Sequence, residues 1–290
     1  MRKAVLDVVC VKKNDWSDVL VERFILNYGN NGLWYGTFTH FNTLNIKHAI
    51  SSRLGGTSKQ PFSSLNLGLH VEDNDKDVIV NRQLFCEAIG MHFDHIVTAQ
   101  QLHTDIVAVI TAKEVGKGAQ NYSDAISATD ALITNVPNIP LMLFFADCVP
   151  VLIVDPVQHA VGVVHAGWKG TVAKIAQKTI VSMQVNFGTD PKDCLVGIAP
   201  SIGPCCYEVD EVVVNKIKKQ FDNWEELVSP TGNKWYFDLW KANCIQLEQI
   251  GVKSNHIVVS GVCTACNHDL FFSYRKENGC TGRMGAAIIL

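Results

Sequence analysis

The 290-residue chain lacks the unbroken apolar stretch that a membrane helix requires. A bilayer-spanning helix needs about 18 consecutive apolar residues, whereas the best candidate, Leu141 to Val154, is interrupted by Asp147 and Pro150. The N-terminal segment has only a short apolar run before Lys12 and is a poor match to a secretion signal. We therefore expect a cytoplasmic protein with no membrane partner.

The chain also lacks a strong excess of charge of either sign. Its 25 basic and 28 acidic side chains give a formal net charge of −3, and the isoelectric point is about 6.3. Proteins that bind nucleic acid usually carry a basic surface. The charge balance therefore predicts no nucleic-acid partner.

A phosphate-binding P-loop is missing as well. Gly162 and Gly167 have the spacing of its glycines, but Trp168 stands before Lys169 and breaks the GK[ST] step. ATP binding through a P-loop is therefore excluded.

Cysteine, by contrast, is abundant, with ten residues. A long chain without an export signal is expected to keep its thiols reduced, most of them buried and inert. Cys263 and Cys266 have the spacing of a redox pair or of half a metal site, but Cys205 and Cys206 are adjacent rather than spaced. We expect Cys263 and Cys266 to be packed thiols.

Apolar runs and helical periodicity alternate along the chain and predict an α+β fold, a layered α/β sandwich with a mixed β-sheet in a single domain. Residues 1–45 are interpreted as N-terminal strands joined to the main domain, and residues 46–290 as the catalytic domain. The predicted helices cover 77–89, 170–185, 211–221 and 239–250. The predicted strands cover 19–26, 33–41, 95–98, 106–110, 131–134, 141–145, 151–154, 160–164 and 285–290.

Three candidate metal ligands follow or interrupt predicted strands: His103, Cys148 and His165. Two imidazoles and a thiolate suit Zn²⁺, and three protein ligands leave a fourth position for water or substrate. The spacing alone is weak evidence, because a buried histidine or a small apolar cysteine is commoner than a ligand.

The chain resembles the YfiH family, which is also called the polyphenol oxidase or laccase-domain family. The matching motifs run in family order over about residues 48–290: SSRLGG, NLGLHVEDND, QLH, TDALIT, ADCVPVLIVDP, VGVVHAGWKG, GIAPSIGPCCYEV, CTACN, FFSYR and GRMGAAI. The resemblance places the metal ligands of the family on His103, Cys148 and His165. It implies a purine nucleoside phosphorylase that acts on adenosine, inosine and methylthioadenosine, with adenosine deaminase activity alongside.

Phosphorolysis requires a site for phosphate. Arg53, beside a glycine turn, and Lys169 with Gly170, at the start of a predicted helix, are the candidate ligands because free N–H groups and cations bind anions. A tight structural turn is the alternative for both segments. Arg82, Arg275 and Arg283 are weaker candidates, since arginines more often make structural ion pairs.

Deamination requires an acid/base group near a metal-activated water. Asp147, next to Cys148, and Asp130 are the candidate carboxylates, although Asp147 could equally cap a turn.

Two other functions use the same residues. Cys148 could be the nucleophile of a cysteine hydrolase with His103 or His165 as its base, or zinc could have only a structural role in a binding protein. Copper could replace zinc, but the ten histidines contain no His-x-His pair of the kind that multicopper oxidases use. Phenol oxidation is therefore at most a side activity.

Overall fold

The computed structural model describes residues 3–4 and 23–290. The strands of this part are β1 Lys3–Ala4, β2 Phe24–Tyr28, β3 Trp34–Phe38, β4 Lys47–Ser51, β5 Val107–Val109, β6 Ala131–Thr134, β7 Leu141–Phe145, β8 Val149–Asp155, β9 Ala160–Ala166, β10 Leu195–Ile198, β11 Glu208–Val209, β12 Val228–Thr231, β13 Lys234–Phe237, β14 Ile257–Val259 and β15 Met284–Ile289. The helices are α1 Thr39–Asn42, α2 Asp75–Ile89, α3 Trp168–Val172, α4 Ile175–Phe187, α5 Glu211–Gln220 and α6 Leu239–Ile250.

The strands form two six-stranded sheets and one small sheet. The first sheet has the order β1-β2-β3-β4-β15-β7, and its neighbouring strands are all antiparallel. The second has the order β14-β10-β8-β9-β6-β5 and is mixed, because β14 and β5 pair in parallel at its two edges. The third, β11-β13-β12, is antiparallel.

The two large sheets pack face to face, and helices cover their outer faces, so the molecule has four layers. Leu143 and Phe145 of β7 meet Leu152 and Val163 of the second sheet in the central core. The helix α2 covers the other face of the first sheet. The helices α4, α5 and α6 cover the other face of the second sheet.

This layering explains why β8 and β9 consist almost entirely of apolar residues. Both strands are buried along their whole length. Leu152 faces the first sheet, whereas Val151 and Ile153 face the helices, because successive side chains of a strand point to opposite faces. A strand between two apolar layers needs apolar residues at both sets of positions.

The α+β sandwich with a mixed sheet in a single domain is confirmed, with one addition. A second, wholly antiparallel sheet was not predicted. The boundary between residues 45 and 46 stays a prediction, and β2 and β3 belong to the same sheet as β4 and β15. Of the strand predicted over 19–26, residues 19–22 lie outside the described part.

Two predictions of elements were wrong. The helix predicted over 170–185 is two helices, α3 and α4, because Lys174 has the left-handed backbone conformation (φ 63°) and ends the first helical path. The strand predicted over 95–98 is a 3₁₀ turn, Phe93–His95, followed by one isolated bridge at Val97. Its apolar residues are buried, which is why they resembled a strand.

Among the described residues, we find no helix that combines the length and the apolar character needed to cross a membrane.

Candidate functional site

His103, Cys148 and His165 lie together. Their ligand atoms are all within 4.8 Å of one another, and the Cys148 Sγ is 3.7 Å from the His103 Nε2. The two imidazole rings meet edge to face with their centroids 4.9 Å apart. His165 is buried and His103 is exposed, so the group opens to solvent on the His103 side.

Strand ends and sharp turns position the three side chains. Cys148 immediately precedes β8, and His165 in β9 lies opposite Pro150 of β8. His103 stands in the loop before β5 with a left-handed backbone (φ 59°), as does Asp147 next to Cys148 (φ 79°). Non-glycine residues in this conformation are uncommon and cluster at functional sites.

The carboxylate of Asp130 holds both histidines. Its Oδ1 accepts a hydrogen bond from the His165 Nδ1 at 2.7 Å and from the His103 backbone N at 3.1 Å. The Thr104 backbone N and Oγ1 both donate to Oδ2 at 2.7 Å. A histidine held at Nδ1 presents Nε2 to a metal, and such partners of a ligand tune metal affinity.

The same contacts set the charges of the group. Burial alone would raise the pKa of Asp130, but hydrogen bonds from His165 and Thr104 outweigh burial and hold that pKa at about 2. Burial likewise opposes ionisation of the Cys148 thiol, yet the neighbouring His165 and His103 lower its pKa to about 6. In return, Cys148 and Asp130 overcome burial and raise the pKa of His165 to about 9. Without a metal, Cys148 and His165 therefore form a thiolate–imidazolium pair at neutral pH.

The absence of a side chain at Gly167 gives the ligands their room. A Cβ atom at this position would lie 2.9 Å from both the Cys148 Sγ and the His103 Cδ2. Gly167 has φ −64° and ψ 170°, which any residue can adopt. Position 167 therefore requires glycine because Cys148 and His103 lie so close to it, and not because of its backbone conformation.

The donor set fits a tetrahedral zinc ion. Zn–S and Zn–N bonds of about 2.3 and 2.0–2.1 Å place sulfur and nitrogen ligands about 3.6 Å apart in a tetrahedron, and the observed separation is 3.7 Å. The group contributes three ligands, which leaves one position open.

Asp147 is buried and holds the turn that carries Cys148. Its carboxylate accepts hydrogen bonds from the Thr264 Oγ1 at 2.6 Å, the Ser273 Oγ at 3.1 Å and the Arg275 backbone N at 2.6 Å. Burial raises its pKa, although these hydrogen bonds oppose the rise. The predicted alternative, a cap of its own turn, is replaced by anchoring to a distant segment.

The predicted phosphate ligands mainly make structural contacts. The Arg53 guanidinium donates to the carbonyl oxygens of Ser63 and His268 and pairs with Glu277 at 3.0 Å. Gly170 is buried, and a Cβ there would lie 3.3 Å from the Thr104 carbonyl oxygen. Lys169 lies near the ring of Trp168. Phosphate binding by Arg53, Lys169 and Gly170 stays a prediction.

The structure brings together Arg283, a weaker candidate from the sequence, and His70, which the sequence analysis did not propose as a site residue. Their side chains lie side by side over Gly68, where a Cβ would be 2.8 Å from the Arg283 Cγ and 3.1 Å from the His70 Cε1. Desolvation by the surrounding protein and then the charge of Arg283 lower the pKa of His70 to about 3. Its ring is therefore neutral at pH 7. The charges of Arg82, His165 and His103 add smaller contributions to this lowering of the His70 pKa.

Arg283 keeps donors available. Within the described part of the chain, Nη1 is the one guanidinium nitrogen of Arg283 that donates to protein atoms, the carbonyl oxygens of Thr281 and Gly282. Burial lowers its pKa, whereas the negative charge of Cys148 acts in the opposite direction. The signal that could have identified the pair is its position in two of the family motifs, NLGLHVEDND and GRMGAAI.

Curated relatives match most of the chain. The purine nucleoside phosphorylase YlmD of Bacillus subtilis (strain 168) is 39% identical over 247 residues, which cover 85% of this chain and 89% of the relative. A purine nucleoside phosphorylase of Bacteroides thetaiotaomicron is 34% identical over 249 residues, covering 85% and 92% of the two chains.

Solved structures agree with the fold. The structure of the protein YfiH from Bacillus licheniformis superposes with a TM-score of 0.85 at 37% identity, over 88% of this chain and 96% of that one. YlmD from Geobacillus stearothermophilus gives a TM-score of 0.78 at 38% identity, over 83% and 90%. The sequence model described as multi-copper polyphenol oxidoreductase laccase matches residues 47–290. The chain therefore belongs to this laccase-like family, whose curated relatives are named purine nucleoside phosphorylases.

Proposed function

We propose that this protein is a zinc-dependent purine nucleoside phosphorylase that cleaves adenosine, inosine and methylthioadenosine with phosphate and also deaminates adenosine. The observation that carries the proposal is the group of His103, Cys148 and His165, whose ligand atoms lie within 4.8 Å of one another and which opens to solvent on the His103 side. The names of the relatives support the phosphorolytic half of the proposal.

His103, Cys148 and His165 would hold the zinc ion. When bound, zinc supplies a Lewis acid with an open position for a water or a substrate oxygen. Asp130 orients His165 and fixes the backbone of His103, and Asp147 anchors the turn that presents Cys148. These two carboxylates therefore act by positioning, and a direct acid/base role of Asp147 is the alternative.

Arg283 is our choice for the phosphate ligand. Its free guanidinium donors match phosphate oxygens. The guanidinium of Arg53, by contrast, already donates hydrogen bonds to carbonyl oxygens and pairs with Glu277. Lys169 and the Gly170 turn are retained as the second choice.

His70 is our choice for the group that handles the purine. A neutral imidazole can accept a hydrogen bond at one nitrogen and donate one from the other, which suits the ring nitrogens of a purine.

Product analysis tests the reaction. The protein is incubated with adenosine, with and without phosphate, and the products are separated by chromatography. Phosphorolysis predicts adenine and ribose 1-phosphate only when phosphate is present. Deamination predicts inosine without phosphate, and inosine together with hypoxanthine, its phosphorolysis product, when phosphate is present. Formation of neither product would refute the function.

Two matched variants test the phosphate site. Arg283→Gln should raise the KM for phosphate by roughly tenfold or more, because a charge-assisted hydrogen bond contributes about 1.5–3 kcal/mol, and should leave the KM for adenosine nearly unchanged. Lys169→Gln is the control from the alternative site. If Lys169→Gln raised the KM for phosphate and Arg283→Gln did not, the result would favour the turn at Lys169 as the phosphate site.

A cysteine hydrolase remains the rival function, because Cys148, His165 and Asp130 also line up as a thiolate, a base and its orienting acid. A thiolate bound to zinc is not a free nucleophile. If His103, Cys148 and His165 together hold about one zinc ion and Cys148 is alkylated slowly, the zinc-dependent function is supported over the cysteine hydrolase. Rapid alkylation of a metal-free protein that is fully active would favour the hydrolase.

A further inference from the structure

A second group of potential ligands lies away from His103, Cys148 and His165. The sulfur atoms of Cys205, Cys206, Cys263 and Cys266 are all within 4.8 Å of one another. Cys263 is buried, and Cys205 and Cys266 reach the surface. Four residues from two distant loops thus converge on one point.

The separations fit a tetrahedron of thiolates. Zn–S bonds of about 2.3 Å place the sulfur atoms of a tetrahedral site about 3.8 Å apart. The Cys205 and Cys206 sulfur atoms lie 3.7 and 3.4 Å from that of Cys266. A disulfide would require about 2.05 Å and would use only two of the four.

The surrounding backbone is shaped for this group. The Gly203 N–H donates to the Cys263 Sγ at 3.2 Å, the kind of hydrogen bond that supports a metal-bound thiolate. A Cβ at Gly203 would lie 2.8 Å from the Trp240 ring and 3.3 Å from the Cys205 Sγ. Only glycine allows the 201–206 loop to approach Cys263 so closely.

The charge of the neighbourhood also fits. Four thiolates and one Zn²⁺ carry a net charge of about −2, which needs compensation in a partly buried place. The adjoining cavity of about 400 Å³ is lined by Cys205, Cys206 and Cys266 together with Arg275 and Lys276. The Arg275 Nη1 also donates to the Cys206 carbonyl oxygen at 3.3 Å.

We propose that Cys205, Cys206, Cys263 and Cys266 bind a structural zinc ion as a closed tetrathiolate site. The expectation of packed thiols is replaced by this proposal. In the sequence, the adjacent positions of Cys205 and Cys206 argued against a metal site because their contact with Cys263 and Cys266 was not known. An isolated β-bridge between Ser201 and Cys263 brings the two loops together.

The proposed site would stiffen the support of the candidate active site. The 201–206 loop donates the Ile202 N–H to the Asp147 carbonyl oxygen at 2.9 Å. The 263–266 loop donates the Thr264 hydroxyl to the Asp147 carboxylate. A zinc ion that joins the two loops therefore holds two of the hydrogen-bond partners of Asp147, the neighbour of Cys148.

Zinc stoichiometry tests the proposal independently of the function. Wild-type protein, purified without chelators, should contain about two zinc ions per chain. Cys266→Ser and Cys148→Ala should each contain about one, and the double variant close to none. X-ray absorption on Cys148→Ala should show about four sulfur neighbours at about 2.3 Å. Cys205→Ser replaces Cys266→Ser if the latter is insoluble.

Three results would overturn the proposal. One is about one zinc ion in wild type that Cys266→Ser does not change. Another is nitrogen or oxygen ligands around the zinc of Cys148→Ala. The third is an intact mass that lacks two hydrogens, with a Cys206–Cys266 disulfide in the peptide map. A loss of phosphorolysis in Cys148→Ala that leaves the tetrathiolate zinc in place would separate the two sites.

Discussion

Asp130 contacts both histidines of the candidate metal site, one through its ring and the other through its backbone. We expect Asp130→Asn to weaken zinc binding by about 10- to 100-fold, the usual effect of losing a carboxylate partner of a ligand. The loss arises because an amide can no longer fix the His165 tautomer. Competition with a chromogenic chelator would measure the affinity.

Asp105→Asn is the matched control for Asp130→Asn. Asp105 is partly exposed and pairs with Lys178 near the surface, and such pairs contribute little to stability. An equal weakening in both variants would mean that a general change of charge, and not the contact with His165, is responsible.

Gly167 is the second residue whose role is local. Gly167→Ala would place a methyl group 2.9 Å from the Cys148 Sγ and the His103 Cδ2. Overpacking of about 1–3 kcal/mol should weaken zinc binding by roughly tenfold to a hundredfold. Metal analysis after dialysis against a weak chelator, with circular dichroism to verify folding, would measure it. Wild-type retention of zinc would contradict the close packing.

At the scale of elements, β4 contains a histidine that is kept neutral. The His48 Nε2 accepts from the Phe38 N–H at 2.7 Å, and Nδ1 lies 3.0 Å from the Ile46 carbonyl oxygen. Burial lowers the pKa of His48 from 6.5 to about 4. Between these values the unfolded chain binds the proton more readily, so the folded state loses stability as the pH falls through that window.

This shift predicts a measurable difference in acid stability. From pH 7 to pH 4, the free energy of unfolding of the wild type should fall by about 3 kcal/mol more than that of His48→Gln. Urea unfolding at several pH values would measure both. The exposed His159→Asn should keep the wild-type slope, and a parallel dependence for His48→Gln would contradict the buried neutral histidine.

The long buried elements were predictable from sequence, whereas the short ones were not. The bounds of β6, β7 and α6 agree with the prediction because long apolar runs and a clear helical period mark them. The break at Lys174 carries no local signal, since lysine does not favour a left-handed backbone. The His/Cys/His group needed the family motifs, and the four-cysteine group needed the pairing of distant loops.

At the scale of the whole molecule, the two large sheets approach each other where a glycine faces an aromatic ring. A Cβ at Gly197 of β10 would lie 2.6 Å from ring atoms of Phe38 of β3. Gly197→Ala should destabilise the protein by about 1–3 kcal/mol, because the ring cannot move within a packed core. Thermal or urea unfolding would measure the loss.

A double-mutant cycle gives the control for Gly197→Ala. Phe38→Leu removes part of the ring that the methyl group would meet, so the double variant should be more stable than the sum of the two single effects. Additive effects would show that the sheets can adjust their spacing and that the contact does not fix it.

The pairing of His165 with Pro150 across β9 and β8 has a consequence for how preparations are judged. A slip of one residue between these strands would turn every side chain of β9 to the opposite face and put an alanine or a valine where the imidazole belongs. Such molecules could keep their strands and most of their apolar contacts, yet they could not complete the ligand set. The amount of metal held by His103, Cys148 and His165 in a refolded sample is therefore a measure of correctly registered molecules, which spectroscopic measures of strand content alone would not give.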